Sequence, residues 1–162
     1  MPVQRLTNER WGFRSNCFVC EPTNARGMQV PFFHDSDANV VFAELELSDD
    51  FSGAPSYVHG GVTLALMDEA MAWAAIALGG KFAVTHETSA TFDWPVRVGR
   101  KYRLEARLTD HSDEQFSAEA VVRDAKGRPC VASRCTLVVL GAAHARDAIG
   151  TDPEGDDAGF LR

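Results

Sequence analysis

Two adjacent carboxylates, Asp68 and Glu69, stand in the middle of the apolar stretch SYVHGGVTLALMDEAMAWAAIALGG, residues 56–80. No basic residue occurs between Val62 and Leu78, so no ion pair within the stretch neutralises them. A carboxylate withdrawn from water without a partner costs several kcal/mol or has its pKa shifted upward, and a carboxylate in that state suits general-base or nucleophilic work. A structural reading stays open, in which one acid meets an arginine or an amide from elsewhere and the other reaches water. Just upstream, His59-Gly60-Gly61 sets two glycines where the first N–H groups of a helix lack partners. A ligand oxygen can approach such a backbone closely, and the helix dipole favours negative charge developing there, which is oxyanion-hole chemistry.

The element that carries these groups reads as one helix from about Gly60 to Leu78, stopped by Gly79 and Gly80. At about 100° per residue Asp68 shares a face with Leu64, Ala65, Ala72 and Ala75, whose alanines leave room for a substrate, while Glu69 lies one step round beside Ala65, Leu66 and Trp73. Eight residues separate Gly60 from Asp68, about 12 Å along the axis, which is too far for one small reacting group. Two antiparallel helices meeting across a dimer axis would bring the N-terminus of one to the middle of the other. The site is therefore expected to be shared between subunits of a homodimer, with a dimer of dimers as the larger alternative.

The rest of the chain reads as strands. MQVPFFH and VVFAELEL flank the turn cluster DSDAN, and KFAVTHETSATFDWPV, KYRLEARLTD, QFSAEAVVRD and CVASRCTLVVL follow the helix, three of them with period-two alternation or a turn between them. Two strands, one long helix and about four strands predict an α+β fold in which a curved antiparallel sheet of about six strands wraps around the helix. The helix then has the sheet on one side and a partner on the other, which suits apolar residues all the way round. Residues 28–141 are the domain so defined. Residues 1–27 read as an irregular N-terminal segment, and the Ala-, Gly- and Asp-rich residues 142–162 as a flexible C-terminal tail.

The chain has 162 residues, 45% hydrophobic and 24% charged, with a net charge of -7, which argues against a nucleic-acid footprint. Its longest apolar run is broken by the two acids and marginal for a bilayer, so no membrane partner is expected. The N-terminus MPVQRLTNERWGFRSN has no continuous apolar core, and a cytoplasmic location is the expectation. Of four cysteines, Cys17 and Cys20 form a C-x-x-C that suits half a zinc site, a redox pair or two incidental thiols. With Cys130 and Cys135 spaced five apart, no four-cysteine zinc site forms by the usual spacing, and the thiols are expected to be reduced and incidental, with no metal site. Trp73, Phe82, Phe92 and Trp94 read as core or interface.

The segment HGGVTLALMDEAMAWAA resembles the signature of the PaaI-like acyl-CoA thioesterases of the hot-dog fold, in which H-G-G opens the central helix and an Asp follows nine residues after the His, here His59 and Asp68. NCFVCEPTNARGMQV is similar to a C-F-V-C-G-x-x-N-P-x-G-L segment of a subset of that family, with Glu21 and Ala25 in place of its Gly and Pro. Gly53 stands where some relatives carry an Asn that positions substrate or water, so that role is not carried over. The resemblance spans roughly residues 16–140 and implies hydrolysis of an acyl-CoA, or another acyl thioester, to free acid and thiol. It implies Gly60 as oxyanion donor and Asp68 as base or nucleophile, with Glu69 as the fallback acid, His59 orienting the thioester or the loop, and Thr85 near the attacking water. Substrate contacts are expected from Gly61, Thr88 and, for the CoA phosphates, Arg100 and Lys101 within the basic run PVRVGRKYR. No cofactor is implied beyond the coenzyme A of the substrate. The resemblance leaves room for a non-catalytic acyl-CoA or lipid binder, or a hydratase/dehydratase, because hot-dog proteins include both.

Overall fold

The computed structural model of the chain describes residues 2–150. Its central element is helix α1, Gly60–Ala77, against the expected 60–78. The helix ends because Gly80 takes a left-handed φ of 68° and because Gly79 is packed too tightly for a side chain: a Cβ there would lie 2.4 Å from the Phe116 ring. The described residues form seven strands: β1 Val3–Leu6, β2 Phe32–Asp35, β3 Val40–Glu46, β4 Ala83–Phe92, β5 Lys101–His111, β6 Gln115–Asp124 and β7 Pro129–Val139. They form a single sheet in the order β1-β2-β3-β5-β6-β7-β4, every neighbouring pair antiparallel.

The sheet wraps α1 as expected of the hot-dog fold, with β3, β4, β5, β6 and β7 all in contact with the helix. Period-two alternation supplies the inner face: Tyr102, Leu104 and Ala106 from β5 and Phe116, Ala118, Ala120 and Val122 from β6 are buried. From α1, Leu66, Met67, Ala70, Met71, Ala74 and Ala75 are fully covered. Each of the larger of these side chains contributes roughly 1.5–3 kcal/mol by leaving water. Leu64, Ala65, Asp68, Glu69 and Ala72 are only half-buried and form a strip along the helix that this single chain leaves partly open.

The structure adds detail to three expectations. The sheet has seven strands, because the segment 1–27, read as irregular, contributes β1, which pairs with β2 in the register Val3 to Asp35 through Leu6 to Phe32. It also carries a short 3-10 turn, Glu9–Trp11. Residues 142–162, read as a flexible tail, begin with a second helix, α2 Ala142–Ile149, whose Ala145 is fully buried beside Phe13, Phe82, Leu140 and Ile149. Residues 151–162 of that expected tail lie outside the described residues. Among the described residues no helix is long and apolar enough to cross a membrane.

Candidate active site

The start of α1 is built by the loop before it. Val58 N–H donates to Val96 O and His59 N–H to Phe51 O, fixing the entry of the chain into the helix. His59 is the N-cap: its Nδ1 accepts from Gly61 N–H at 2.9 Å. The lack of a side chain on Gly61 makes room for this contact, since a Cβ there would sit 3.1 Å from Nδ1. Gly61, expected to touch substrate, thus has its amide occupied by His59. Gly60 N–H is left without a partner among the described residues and is exposed, at the positive end of a helix of 18 residues.

Asp68 sits half-buried in the open strip of α1, and its Oδ1 accepts from Thr85 Oγ1 of β4 at 2.6 Å. Two residues chosen from sequence are therefore in direct contact. A bulge in β4 between Thr85 and Glu87 sets Thr85 opposite Leu137 and Thr88 opposite Cys135. Leu137 and Cys135 are two apart on β7 and both buried, so Thr85 and Thr88, three apart, face the same side; without the bulge they would face opposite sides. Thr88 Oγ1 is bonded to Arg134 O at 3.3 Å, which ties it to the neighbouring strand. Burial, and secondarily the Asp68 charge, push the Cys135 thiol up to about 11, which places Cys135 in the same neighbourhood.

Glu69 points elsewhere, toward the N-terminal segment. Cys17 Sγ donates to its Oε1 at 3.3 Å, across 52 positions of sequence. Cys20 is buried beside them, and Asn8, itself buried, donates through Nδ2 to Cys20 Sγ at 3.9 Å and to Glu21 Oε2 at 3.4 Å. Burial is the main cause that lifts the Glu69 carboxyl to about 7. The Cys20 thiol, with the amides of Cys20 and Val19, hydrogen-bonds to Cys17 and holds it down at about 5 against burial. Cys20 is pushed up, first by that bond and then by burial, so the three groups hold their protons as one unit. The acid also borders a cavity of about 170 Å³ lined by Asn8, Trp73 and Phe82 among others. Glu69 is thus engaged with two thiols on the side facing residues 8–20, and does not share the Asp68–Thr85 contact.

The basic run divides. Arg103 is committed to the outer sheet face, bonded to Glu44 at 2.7 Å and Glu105 at 2.9 Å over the Phe42 ring. Arg97, Arg100 and Lys101 instead line a groove of about 690 Å³ together with Trp94, Lys126 and Arg128. Sequence reading assigned Trp94 to core or interface and missed Lys126 and Arg128, which arrive from the β6–β7 turn. Arg128 stacks over Trp94 at 4.1 Å and pairs with Asp124 at 3.1 Å. The groove adjoins the helix entry: Tyr57 bridges to Arg97, and Val98 N–H donates to Ser56 O. Trp73 and Phe82 fit their reading as core, whereas Phe92 and Trp94 are each 48% exposed. Phe92 nevertheless lies within 3.7 Å of where a Gly60 side chain would be, so this end of β4 flanks the free amide.

Residues 56–131 match the family model described as "Thioesterase superfamily". A thioesterase superfamily protein of known crystal structure is 28% identical with a TM-score of 0.70, over 77% of this chain and 60% of that one, so the chain spans less than two-thirds of that relative's length. A Streptococcus mutans UA159 protein crystallised with acetyl CoA is 19% identical at a TM-score of 0.61, over 64% of this chain and 82% of the other. The PaaI protein of the E. coli phenylacetic acid degradation operon is 16% identical at 0.59, over 64% and 74%. At such identities the last two establish a shared fold. No curated protein matches the chain significantly.

Proposed function

We propose that this chain, which over residues 56–131 belongs to the thioesterase superfamily, hydrolyses acyl-CoA thioesters to a free acid and CoA thiol, as a PaaI-like enzyme. The observation that carries this reading is the 2.6 Å contact of Thr85 on β4 with Asp68 on α1, a helix whose first amide, Gly60, has no partner among the described residues. Gly60 N–H takes the thioester carbonyl oxygen as it becomes an oxyanion. Thr85 fixes one carboxylate oxygen of Asp68 and leaves the other to deprotonate water or to attack the carbonyl itself. In the first route the hydroxide adds to the carbonyl carbon, the C–S bond breaks, and the proton taken by Asp68 leaves with the thiolate. In the second the Asp68 carboxylate adds to the carbonyl carbon, the C–S bond breaks to release the thiolate and leave an anhydride on Asp68, and water then opens the anhydride to the free acid and the Asp68 carboxylate, a proton of that water going to the thiolate.

The two halves lie about 12 Å apart on one helix, so the working site joins Gly60 of one subunit to Asp68 of another. The half-buried strip along α1 supports such a partner. So does β4, a ten-residue strand at the edge of the sheet whose residues Val84 and Phe92 are exposed. The groove of Arg97, Arg100, Lys101, Lys126 and Arg128 beside the helix entry has the charge to hold CoA phosphates, and exposed Trp94 a face for its adenine. Two structural relatives at comparable TM-scores were crystallised with acetyl CoA and with coenzyme A, which supports the same ligand class here; a cytoplasmic location is part of the proposal.

The test is release of free thiol from a panel of aliphatic and aromatic acyl-CoAs by the wild type and by Asp68→Asn. Loss of a general base lowers turnover by about 10²–10⁴. Saturable acyl-CoA binding without thiol release would mark a binding protein instead, and conversion of an enoyl-CoA to a product heavier by one water, without thiol, would mark a hydratase. Full activity in Asp68→Asn would remove the catalytic assignment.

A further inference from the structure

The cluster of Cys17, Cys20 and Glu69 takes no part in the proposed hydrolysis, yet it unites three metal-ligating side chains from two distant parts of the chain. Their ligand atoms all lie within 4.8 Å of one another. We propose that these three residues form a zinc site, two thiolates and one carboxylate on a single Zn²⁺ with water as the fourth ligand, that fastens the N-terminal segment to the central helix.

The geometry is already close to what the ion needs. Tetrahedral zinc with Zn–S near 2.3 Å and Zn–O near 2.1 Å sets its ligand atoms about 3.5–3.8 Å apart. The Cys17–Glu69 separation of 3.3 Å therefore needs only a slight opening to admit the ion. The C-x-x-C turn is held independently of any metal: Glu21 N–H donates to Cys17 O, Met28 N–H to Phe18 O at 2.6 Å and Val30 N–H to Val19 O at 2.9 Å. Gly27 packs against this turn so closely that a Cβ would meet Phe18 O at 2.6 Å. Glu69 comes from the central helix, whose neighbours Leu66, Met67, Ala70 and Met71 are fully buried, so neither side of the site is free to drift.

The surroundings suit a ligated thiolate. Asn8 Nδ2 donates to Cys20 Sγ at 3.9 Å. Such outer donors orient ligands and spread their charge. The cavity of about 170 Å³ that Glu69 borders with Asn8 and Ser15 lies on the side where the proposal sets the fourth, water ligand. Two sulfurs with one carboxylate select a borderline ion such as zinc over calcium or magnesium, which take oxygen ligands. A disulfide between Cys17 and Cys20 would use neither the carboxylate nor the amide aimed at the sulfurs.

Full-length reduced protein, incubated with Zn²⁺ and dialysed against buffer, is expected to keep about one zinc per chain by elemental analysis. Cys17→Ser and Cys20→Ser are expected to lower retention below about one-tenth, and Glu69→Ala to weaken affinity by about tenfold or more against a colorimetric chelator. Because those variants could fold poorly, the wild type supplies a second readout: Zn²⁺ should protect two thiols, mapped to Cys17 and Cys20, from alkylation. Chelation should restore their reactivity and speed amide exchange in residues 17–30 but not in β5–β7. Sub-stoichiometric retention, equal retention by the double cysteine variant, or alkylation indifferent to zinc would each overturn the site. A native Cys17–Cys20 disulfide with no zinc uptake after reduction would do so as well.

Discussion

Thr85→Val removes one hydroxyl while keeping the shape and β-branching of the side chain, so β4 is left intact. The lost interaction is the 2.6 Å bond from Thr85 Oγ1 to Asp68 Oδ1. A hydrogen bond to a charged group contributes roughly 1.5–3 kcal/mol. Thr85 is exposed, so water takes over part of that role and the lower end applies, about 1.5 kcal/mol. At 1.36 kcal/mol per factor of ten this is about a tenfold fall in kcat/KM for thioester hydrolysis. The fall is expected in kcat with KM nearly unchanged, because the bond aims the carboxylate and does not hold the acyl-CoA. Thr85→Ser, which restores the donor, should lie within about twofold of wild type on the same reasoning. Steady-state thiol release measured across the three proteins checks this. Thr85→Val at wild-type rates, alongside an inactive Asp68→Asn, would refute the positioning role. A loss beyond about 10³ would show that the hydroxyl meets the reacting atoms directly.

Gly60→Pro should lower kcat by about 10²–10³, the cost of one oxyanion donor, with the fold retained by circular dichroism. Proline is favoured at the first helical position, and His59, at φ -55° and ψ 131°, already has the extended conformation a residue before proline needs. Mixing Gly60→Pro and Asp68→Asn chains after unfolding and refolding together should recover about a quarter of wild-type activity, since half the dimers are mixed and one of their two sites is whole. No recovery would place both groups of a site in one chain. Gly61→Ala presses its Cβ to 3.1 Å from His59 Nδ1 and strains the cap. The expected loss is about 1 kcal/mol, a fall in Tm of about 2–4 °C by calorimetry, and an unchanged Tm would show that the cap bond contributes little.

The sequence by itself determined the helix, the strands after it and the residues at its start. Those features are local: H-G-G before an apolar run and two glycines after it bound α1, and period-two alternation in β5 and β6 survives any detail of packing. It left β1 unread because VQRL has neither length nor period, and α2 because eight Ala-rich residues do not make a stable helix until Ala145 finds Phe13 and Phe82. The two carboxylates show the division most plainly. Their types and their adjacency in an apolar helix announced that something outside it must compensate, and the 100° between them meant that they would meet different partners. Which partners was decided only by the fold. A bulge in β4 turns Thr85 toward Asp68, and a turn pinned by Met28 and Val30 carries Cys17 to Glu69 from 52 positions away. Contacts between such distant segments depend on where the sheet curves and where its edge strand breaks register, and no spacing along the chain encodes that directly.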